Sequence, residues 1–218
     1  DSHLAYSEGG PKNGDKLELG AEQFYYTRDW GYSAIDFNNE LVWQLNAESL
    51  LLFGAEINSE DHEIESFSRV ERDSLTTTQV SPNTSIKYNN WSVYSQWLYQ
   101  LSPNINTLIG YRYDKHEIYS AQHSGRTGLV WSINKNNYLK LLIGSSFQAP
   151  STELLYRTPV QRGDIVGNPE LEPQKAKTIE LIYGGTLIDS LRFDATLYTT
   201  KVSELVKYRN DLDNLQAE

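Results

Sequence analysis

The chain has 218 residues, enough for one large domain or two small ones, and it contains no cysteine, which excludes disulfides and thiolate metal sites. Its formal net charge is −10, which argues against a nucleic-acid partner, because such a partner needs a basic stripe. The mean hydropathy of −0.56 does not exclude a membrane barrel, whose strands carry apolar residues only at every second position.

Apolar residues recur at every second position along most of the chain, which is the period of a β-strand rather than of a helix. In an early segment, for example, Ile35, Phe37 and Leu41 alternate with the polar residues Asp36 and Asn38. The alternation predicts about nine strands, of which the first is the least regular, at residues 16–28, 33–45, 49–58, 87–101, 105–117, 123–133, 138–147, 176–187 and 191–206.

The same alternation predicts the face of the sheet on which each side chain lies, because a slip of one residue would invert every face. One face carries large apolar side chains, among them Trp97, Tyr111, Trp131, Leu141 and Leu181. The opposite face carries polar side chains, among them Gln96, Arg112, Lys140 and Glu180. In a membrane barrel the first set would face lipid and the second set would face the lumen.

The connections between the predicted strands are sorted by length. Short turns rich in Asn, Ser, Asp and Pro alternate with longer links, the turns at 46–48, 102–104, 134–136 and 188–190 and the links at 59–86, 118–122 and 148–175. This sorting is typical of a bacterial outer-membrane barrel. We therefore predict an all-β fold, an antiparallel up-and-down transmembrane β-barrel of which this chain forms an incomplete arc. A soluble β-sandwich is the alternative fold.

Two motifs flank the longest link in its C-terminal half. Residues 147–150 read FQAP at the end of a predicted strand, and residues 168–173 read NPELEP before alternation resumes at 178–181. This pair resembles the two boxes in the barrels of TonB-dependent outer-membrane receptors, with residues 174–177 as a mild departure from the family pattern. Two further segments are similar to that family, the strand end at 110–114 (GYRYD) and the segment at 197–206 (LYTTKVSELV).

The resemblance implies that residues 1–218 are an internal part of a receptor barrel, because such transporters have about 22 strands. The plug domain and the C-terminal strands of the family are expected to be absent from this chain. The resemblance also implies a place in the outer membrane of a Gram-negative bacterium, in contact with lipid and lipopolysaccharide. The parent would take up a ferric siderophore or similar scarce nutrient, with energy from the TonB complex acting through the missing plug. Alternatives are a haem or cobalamin receptor of the same family and a passive porin or adhesin-type barrel.

The link between the two boxes holds the candidate ligand-binding residues, which are Tyr156, Arg157, Arg162 and Asp164. Arginine donors suit an anionic ligand such as a ferric chelate. Alternatively, these residues order the loop or meet lipopolysaccharide phosphates. The link has no histidine, which the resemblance would require of a haem receptor, although His116 and His123 flank residues 117–122 and could face iron.

Motifs of enzymes are missing from the sequence, including the nucleophile elbow, the zinc-protease helix and the phosphate loop. The acidic stretch at 60–65 (EDHEIE) lacks the ligand spacing of a calcium loop and is interpreted as a solvated loop face. We therefore expect no catalytic activity, no cofactor, no metal site and no nucleic-acid partner.

Overall fold

A computed structural model describes residues 1–11, 15–18, 23–81, 84–159, 164–188, 191–211 and 214–217. Its strands are β1 (Ser2–Gly9), β2 (Lys16–Leu17), β3 (Phe24–Asn46), β4 (Ser49–Glu71), β5 (Thr77–Gln79), β6 (Ser85–Ser102), β7 (Ile105–Lys115), β8 (Gln122–Ser132), β9 (Asn137–Gln148), β10 (Ile165–Val166), β11 (Gln174–Ile188), β12 (Leu191–Ser203), β13 (Tyr208–Asp211) and β14 (Asn214–Ala217). A short helix, α1, covers Thr152–Tyr156. Among the described residues, no helix is long and apolar enough to cross a membrane.

The long strands form one sheet in which neighbours in sequence are neighbours in space. The order is β1-β3-β4-β6-β7-β8-β9-β11-β12, with β2 added to β3 and β5 added to β4. Every pair along this path is antiparallel. A small second sheet joins β10, β14 and β13. The predicted antiparallel up-and-down fold is therefore confirmed, and the sheet is open, with β1 and β12 at its two ends.

The predicted boundary between the first two strands was wrong. Residues Phe24–Asn46 form one continuous strand where a turn was expected. The two steps from Asp29 to Gly31 lie opposite the three steps from Ser66 to Glu63, so the extra residue of this irregularity belongs to β4 and β3 continues past it. Strand β1 was not predicted, and part of the predicted range 16–28, namely residues 19–22, lies outside the described residues.

The predicted link at 59–86 was also wrong in its first half, because β4 continues to Glu71. Residues Ser59–Glu63 pair with β3 on one side and with β6 on the other. This part of the strand is polar on both faces, so it lacks the alternation that reveals a lipid-facing strand. The remaining described connections sort as predicted, with short turns at one end of the sheet and long loops at the other, and residues 189–190 of the predicted turn at 188–190 lie outside the described residues.

The faces of the sheet follow the predicted alternation. One register row joins Leu51, Trp97, Ile109, Thr127, Ile143 and Ile179, and the next row joins Leu52, Gln96, Gly110, Arg126, Gly144 and Thr178. We call the face of the first row the outer face and the face of the second row the inner face. The two predicted residue sets, with Tyr111 on the outer face and Arg112 on the inner face, lie on opposite sides.

The distribution of apolar side chains contradicts a soluble sandwich. Within the described residues the buried apolar core consists only of Ala34, Ile64, Phe67, Val70, Tyr88, Leu155 and Leu171. By contrast, large side chains on the outer face stay exposed, such as Trp97 at 39% and Tyr111 at 50%. A sandwich would cover these side chains with a second sheet, whereas a membrane barrel leaves them to lipid.

The strands are longer than a membrane requires. A transmembrane β-strand needs about 9–11 residues, but β3 and β4 have 23 residues each. On β6 the outward apolar residues run from Leu101 to Trp91 and then give way to Asn89 and Lys87. The outward apolar residues form a band across the sheet, which we call the apolar band. The sheet, which we call the wall, extends beyond this band on the side of the long loops.

Spin labels at positions 111 and 112 of the assembled barrel test the assignment of faces. We expect high access of lipid-soluble oxygen at position 111 and low access at position 112, because the two side chains lie on opposite faces. Labels at Ser95 and Gln96 on the neighbouring strand provide the matched pair. Equal access at 111 and 112 would contradict the assignment.

Single cysteines test the orientation of the arc, since the chain has no cysteine of its own. Asp73 lies in the loop after β4, and Lys135 lies in the turn between β8 and β9. We expect an impermeant maleimide to label the Asp73→Cys variant on intact cells and the Lys135→Cys variant only after permeabilisation. Labelling of the Lys135→Cys variant on intact cells would show that the arc is inverted.

Candidate functional site

Five aromatic and imidazole rings form a continuous stack on the inner face at the end of the long loops. The stack runs from Tyr32 to His62 (centroids 6.2 Å apart), then to Tyr88 (5.4 Å), His116 (4.8 Å) and Tyr119 (4.0 Å). His62 and Tyr88 are nearly parallel, with 10° between their planes. We call these five residues the ring stack.

Strand register brings the ring stack together from distant parts of the sequence. Tyr32 on β3 lies directly opposite His62 on β4, and Tyr88 on β6 lies opposite Glu60. His116 follows the last residue of β7 in the next loop. Since the side-chain period of a strand is two, Glu60 and His62 point to the same face, and all these rings meet there.

Glu60 links two members of the stack. Its Oε2 atom lies 2.6 Å from Nε2 of His62 and accepts a hydrogen bond of 2.8 Å from the hydroxyl of Tyr88. Burial raises the pKa of Tyr88 above the ordinary value of a tyrosine, and the bond to Glu60 raises this pKa further. Tyr88 therefore stays protonated and donates a hydrogen bond to Glu60. Glu60 thus joins His62 and Tyr88 at the centre of the stack.

The far end of the stack is kept neutral by burial. Burial lowers the pKa of His116 to about 4, against the opposing charges of Glu60 and Glu117. Burial likewise raises the pKa of Tyr119 to about 12. Nδ1 of His116 accepts a hydrogen bond of 3.1 Å from the backbone N–H of Ile118, so the proton of the neutral ring sits on Nε2. These residues lie beyond the apolar band, above Trp91.

A charged cluster lies below the ring stack on the same face. The Arg112 guanidinium donates to Glu56 and, through Nε, to Asp114 at 2.8 Å. Ser92 adds a hydrogen bond of 3.2 Å to Glu56. This cluster joins β4, β6 and β7 and forms the floor under the rings.

The link between the two sequence boxes, which we call the covering link, folds over the end of the inner face near the long loops. We call this end of the arc the mouth. Ser151 caps α1 by accepting a hydrogen bond from the backbone N–H of Leu154. Leu155 and Leu171 are 2% and 7% exposed, and they pack with Ile118, Leu154, Tyr156 and Val206. The link thus has a small apolar core of its own, anchored on the loop after β7 and the segment after β12.

The same link reaches across the arc to β4. The backbone N–H of Glu65 donates to Glu153 at 3.3 Å, and Arg157 forms an ion pair of 3.4 Å with the Glu65 carboxylate. Gly167 packs so closely that a Cβ atom there would lie 2.5 Å from the backbone nitrogen of Arg157. The link therefore spans from β9 and β11 to a strand several positions away, over the inner face.

The predicted ligand-binding residues are only partly brought together. Tyr156 is half-buried at the edge of the apolar core of the link. Arg157 pairs with Glu65, while its Nε atom is buried and has no partner among the described residues. Asp164 precedes β10, and Arg162 lies outside the described residues. Their role in ligand binding stays a prediction.

Sequence reasoning missed the ring stack. The interpretation of residues 60–65 as a solvated loop face was wrong, since Glu60 and His62 lie on the inner face of β4. Residues 60–63 are polar on both faces, so the sequence carries no apolar alternation that could have revealed this part of the strand. His116 and His123 cannot face one iron together, because His123 bonds the Tyr111 hydroxyl on the outer face.

Among the described residues, no group of three or more His, Cys, Asp or Glu side chains is arranged to hold a metal ion. The mouth offers instead ring faces, hydroxyl groups and a few charged donors. Such a surface suits recognition of an organic ligand through stacking and hydrogen bonds.

A family model described as TonB dependent receptor-like, beta-barrel, matches residues 2–217. The chain is 30% identical over 104 residues to the vitamin B12 transporter BtuB of Vibrio vulnificus (strain CMCP6), covering 48% of this chain and 14% of the relative. It is 25% identical over 193 residues to an iron-regulated outer membrane virulence protein of Vibrio cholerae, covering 84% of this chain and 28% of the relative. The chain thus spans less than a third of the length of these curated relatives.

Solved structures share the fold at low identity. The siderophore receptor PirA from Acinetobacter baumannii matches with a TM-score of 0.63 at 12% identity, over 87% of this chain and 32% of that protein. The copper transporter OprC matches with a TM-score of 0.72 at 11% identity, over 99% of this chain and 38% of that protein. Both likenesses support the barrel architecture.

NMR of labelled histidine in the full receptor tests the environment of the ring stack. We expect the His116 resonance to titrate near pH 4, because burial disfavours the charged imidazole. Between the ordinary pKa of 6.5 and the lowered value, the unfolded chain binds a proton that the folded chain refuses, so stability falls as the pH drops through this window. The His116→Gln variant assigns the signal, and an inflection at or above pH 6.5 would contradict the described burial.

Proposed function

Because the chain belongs to the β-barrel family of TonB-dependent receptors, we propose that it forms part of the wall of a receptor that imports a scarce nutrient. Its place is the outer membrane of a Gram-negative bacterium, where its relatives are found. The nutrient we propose is a ferric siderophore or a similar iron chelate, and the energy comes from the TonB complex. The single observation that carries this proposal is the ring stack at the mouth of the arc, covered by the link between the two boxes.

The rest of the parent protein is proposed to supply the plug domain, through which TonB acts, and the remaining strands. The inner face supports a plugged barrel rather than an open porin or an adhesin. In its half near the short turns it carries apolar side chains around a cavity of about 500 Å³, namely Leu98, Leu108, Val130 and Leu142. A water-filled channel would leave these side chains exposed to solvent, whereas a packed domain would bury them at a gain of about 25 cal/mol per Å².

The ring stack is proposed to contact the ligand first. Tyr32, at the open end of the stack, is 40% exposed and presents a ring to the mouth. Aromatic contacts contribute about 0.5–1.5 kcal/mol each beyond burial of area. Tyr156, Arg157, Arg162 and Asp164 in the covering link are proposed to complete the site, with the arginines directed to the charge of the chelate.

Haem is disfavoured as the ligand because the link between the two boxes has no histidine. Iron is ligated by a ring nitrogen that carries no proton. Nδ1 of His116 accepts from the Ile118 backbone, so Nε2 of this ring carries the proton. Cobalamin is the second candidate, because one of the curated relatives is a vitamin B12 transporter.

The barrel is proposed to act by binding and transport, without a catalytic step. Its relatives are named as transporters and receptors, and the mouth is lined by recognition groups. Contact with outer-membrane lipid and lipopolysaccharide is proposed for the outer face. No nucleic-acid partner is proposed for a chain with a net charge of −10.

Calorimetric titration of the full receptor with ferric siderophores, haem and cobalamin tests the ligand. We expect an iron chelate to bind and the Arg157→Ala/Arg162→Ala double variant to weaken that binding by about 1.5–3 kcal/mol for each charge-assisted bond lost. The Tyr32→Ala variant should weaken binding by about 1 kcal/mol through loss of the exposed ring. The Lys135→Ala variant, in a turn at the opposite end, is the matched control.

Two outcomes would contradict the assignment. Tight binding of cobalamin or haem alone would overturn the iron chelate but leave the family membership intact. Unchanged chelate affinity in both variants would remove the ring stack and the covering link from the site.

A further inference from the structure

A shallow cleft of about 530 Å³ lies on the outer face across β8, β9, β11 and β12. Its lower part is lined by apolar and small side chains that include Ile143 and Ile179. Its upper edge carries Lys177 and Lys201, and Gly125 and Ser145 form the floor between them and Tyr111 on β7. The cleft is thus apolar at one end and basic at the other.

The two lysines occupy an unfavourable arrangement for an isolated sheet. Lys177 lies directly opposite Lys201. Lys175 precedes Lys177 by two residues and lies on the same face. Like charges directly opposite each other destabilise a strand pair. Among the described residues, none of the three lysines forms an ion pair with a carboxylate, although the whole chain has a net charge of −10. An external anion would relieve this repulsion.

The position of the lysines indicates which anion meets them. Below Lys177 on the same face come Ile179, Leu181 and Tyr183, exposed by 49%, 40% and 42%. These residues belong to the apolar band, so the lysines stand where the hydrocarbon ends, on the side of the long loops. Given the proposed outer-membrane function, this side faces the outer leaflet, where anionic headgroups attract basic side chains.

The floor of the cleft leaves room for a headgroup beside the lysines, because Gly125 and Ser145 lie in the same register row as Lys177. A Cβ atom added at Gly125 would come no closer than 3.9 Å to the backbone oxygen of Gly110 and 4.0 Å to the Ser145 hydroxyl. A Cβ atom at Gly125 would therefore make only ordinary van der Waals contacts with the floor. A side chain placed there would fill the cleft without disturbing the ladder.

We propose that this cleft binds one molecule of lipopolysaccharide. A phosphate of the lipid A headgroup lies between Lys175, Lys177 and Lys201, and an acyl chain runs down along Ile143 and Ile179. Lysine suits this task because its ammonium group binds phosphate as a compact point charge with three donors. The assignment rests on the proposed outer-membrane location, but not on the nutrient that the receptor carries.

Native mass spectrometry of the delipidated full receptor tests the proposal, with diphosphoryl lipid A and phosphatidylglycerol as separate probes. We expect the Lys177→Gln/Lys201→Gln double variant to retain lipid A about tenfold less, a change of about 1.4 kcal/mol. The Lys177→Arg/Lys201→Arg variant should retain it. The Gly125→Leu variant, which changes no charge, should also lose it because the side chain fills the cleft.

The Lys135→Gln/Lys140→Gln variant is the matched control, since it removes two charges from the turn and the inner face. Unchanged lipid A retention in both the lysine and the glycine variants would overturn the proposal. Equal retention of phosphatidylglycerol by the unmodified receptor would overturn the choice of lipid A. Chelate titration on the same preparations separates this result from a failure of the proposed transport function, because the cleft lies on the opposite face from the mouth.

Discussion

The requirement that every backbone polar group in hydrocarbon find a partner governs the whole molecule. Lipid offers no hydrogen bonds, so strands that cross a membrane must pair continuously. In β6 to β12 the register shifts lie only at the ends near the short turns, between Gln100 and Ser102 and between Thr186 and Ile188. Between β3 and β4, one shift lies beside the short turn, between Gln44 and Asn46, and the other lies opposite Asp29 and Gly31 in the extension above the apolar band. Irregularity is thus confined to places that water can reach.

Continuous pairing in turn dictates where recognition groups can stand. Successive side chains of a strand point to opposite faces. The same strands can therefore carry apolar residues on the outer face and polar or aromatic residues on the inner face. Outside the band, the wall needs no apolar outer residues, and both faces become available for polar and aromatic groups. The ring stack uses this freedom on the inner face, where His62 and Tyr88 project from wall strands rather than from flexible loops. A rigid wall presents these rings with little loss of conformational entropy on binding.

The sequence predicts the fold best where lipid contact constrains it. The ends of β6, β7, β8, β9, β11 and β12 lie within a few residues of the predicted ones, because their outward residues must be apolar. The extension of β4 could not be predicted in this way, since Ser59–Glu63 are polar on both faces. The ring stack was also out of reach, because the contact between Tyr32, His62 and Tyr88 depends on the register of three strands. The paired boxes located the covering link but not its docking on Glu65.

The docking of the covering link has a consequence for how the mouth opens. Most of the sheet consists of contacts between sequence neighbours, whereas the bond from Glu65 to Glu153 joins residues 88 positions apart. Its ion pair to Arg157 is partly exposed, and such pairs contribute about 0–1 kcal/mol. The apolar core of the link adds two well-buried leucines, each about 1.5–3 kcal/mol. Burial of the two leucines therefore contributes more to holding the link over the mouth than the ion pair does, and it ties the link to the loop after β7 and to the segment after β12.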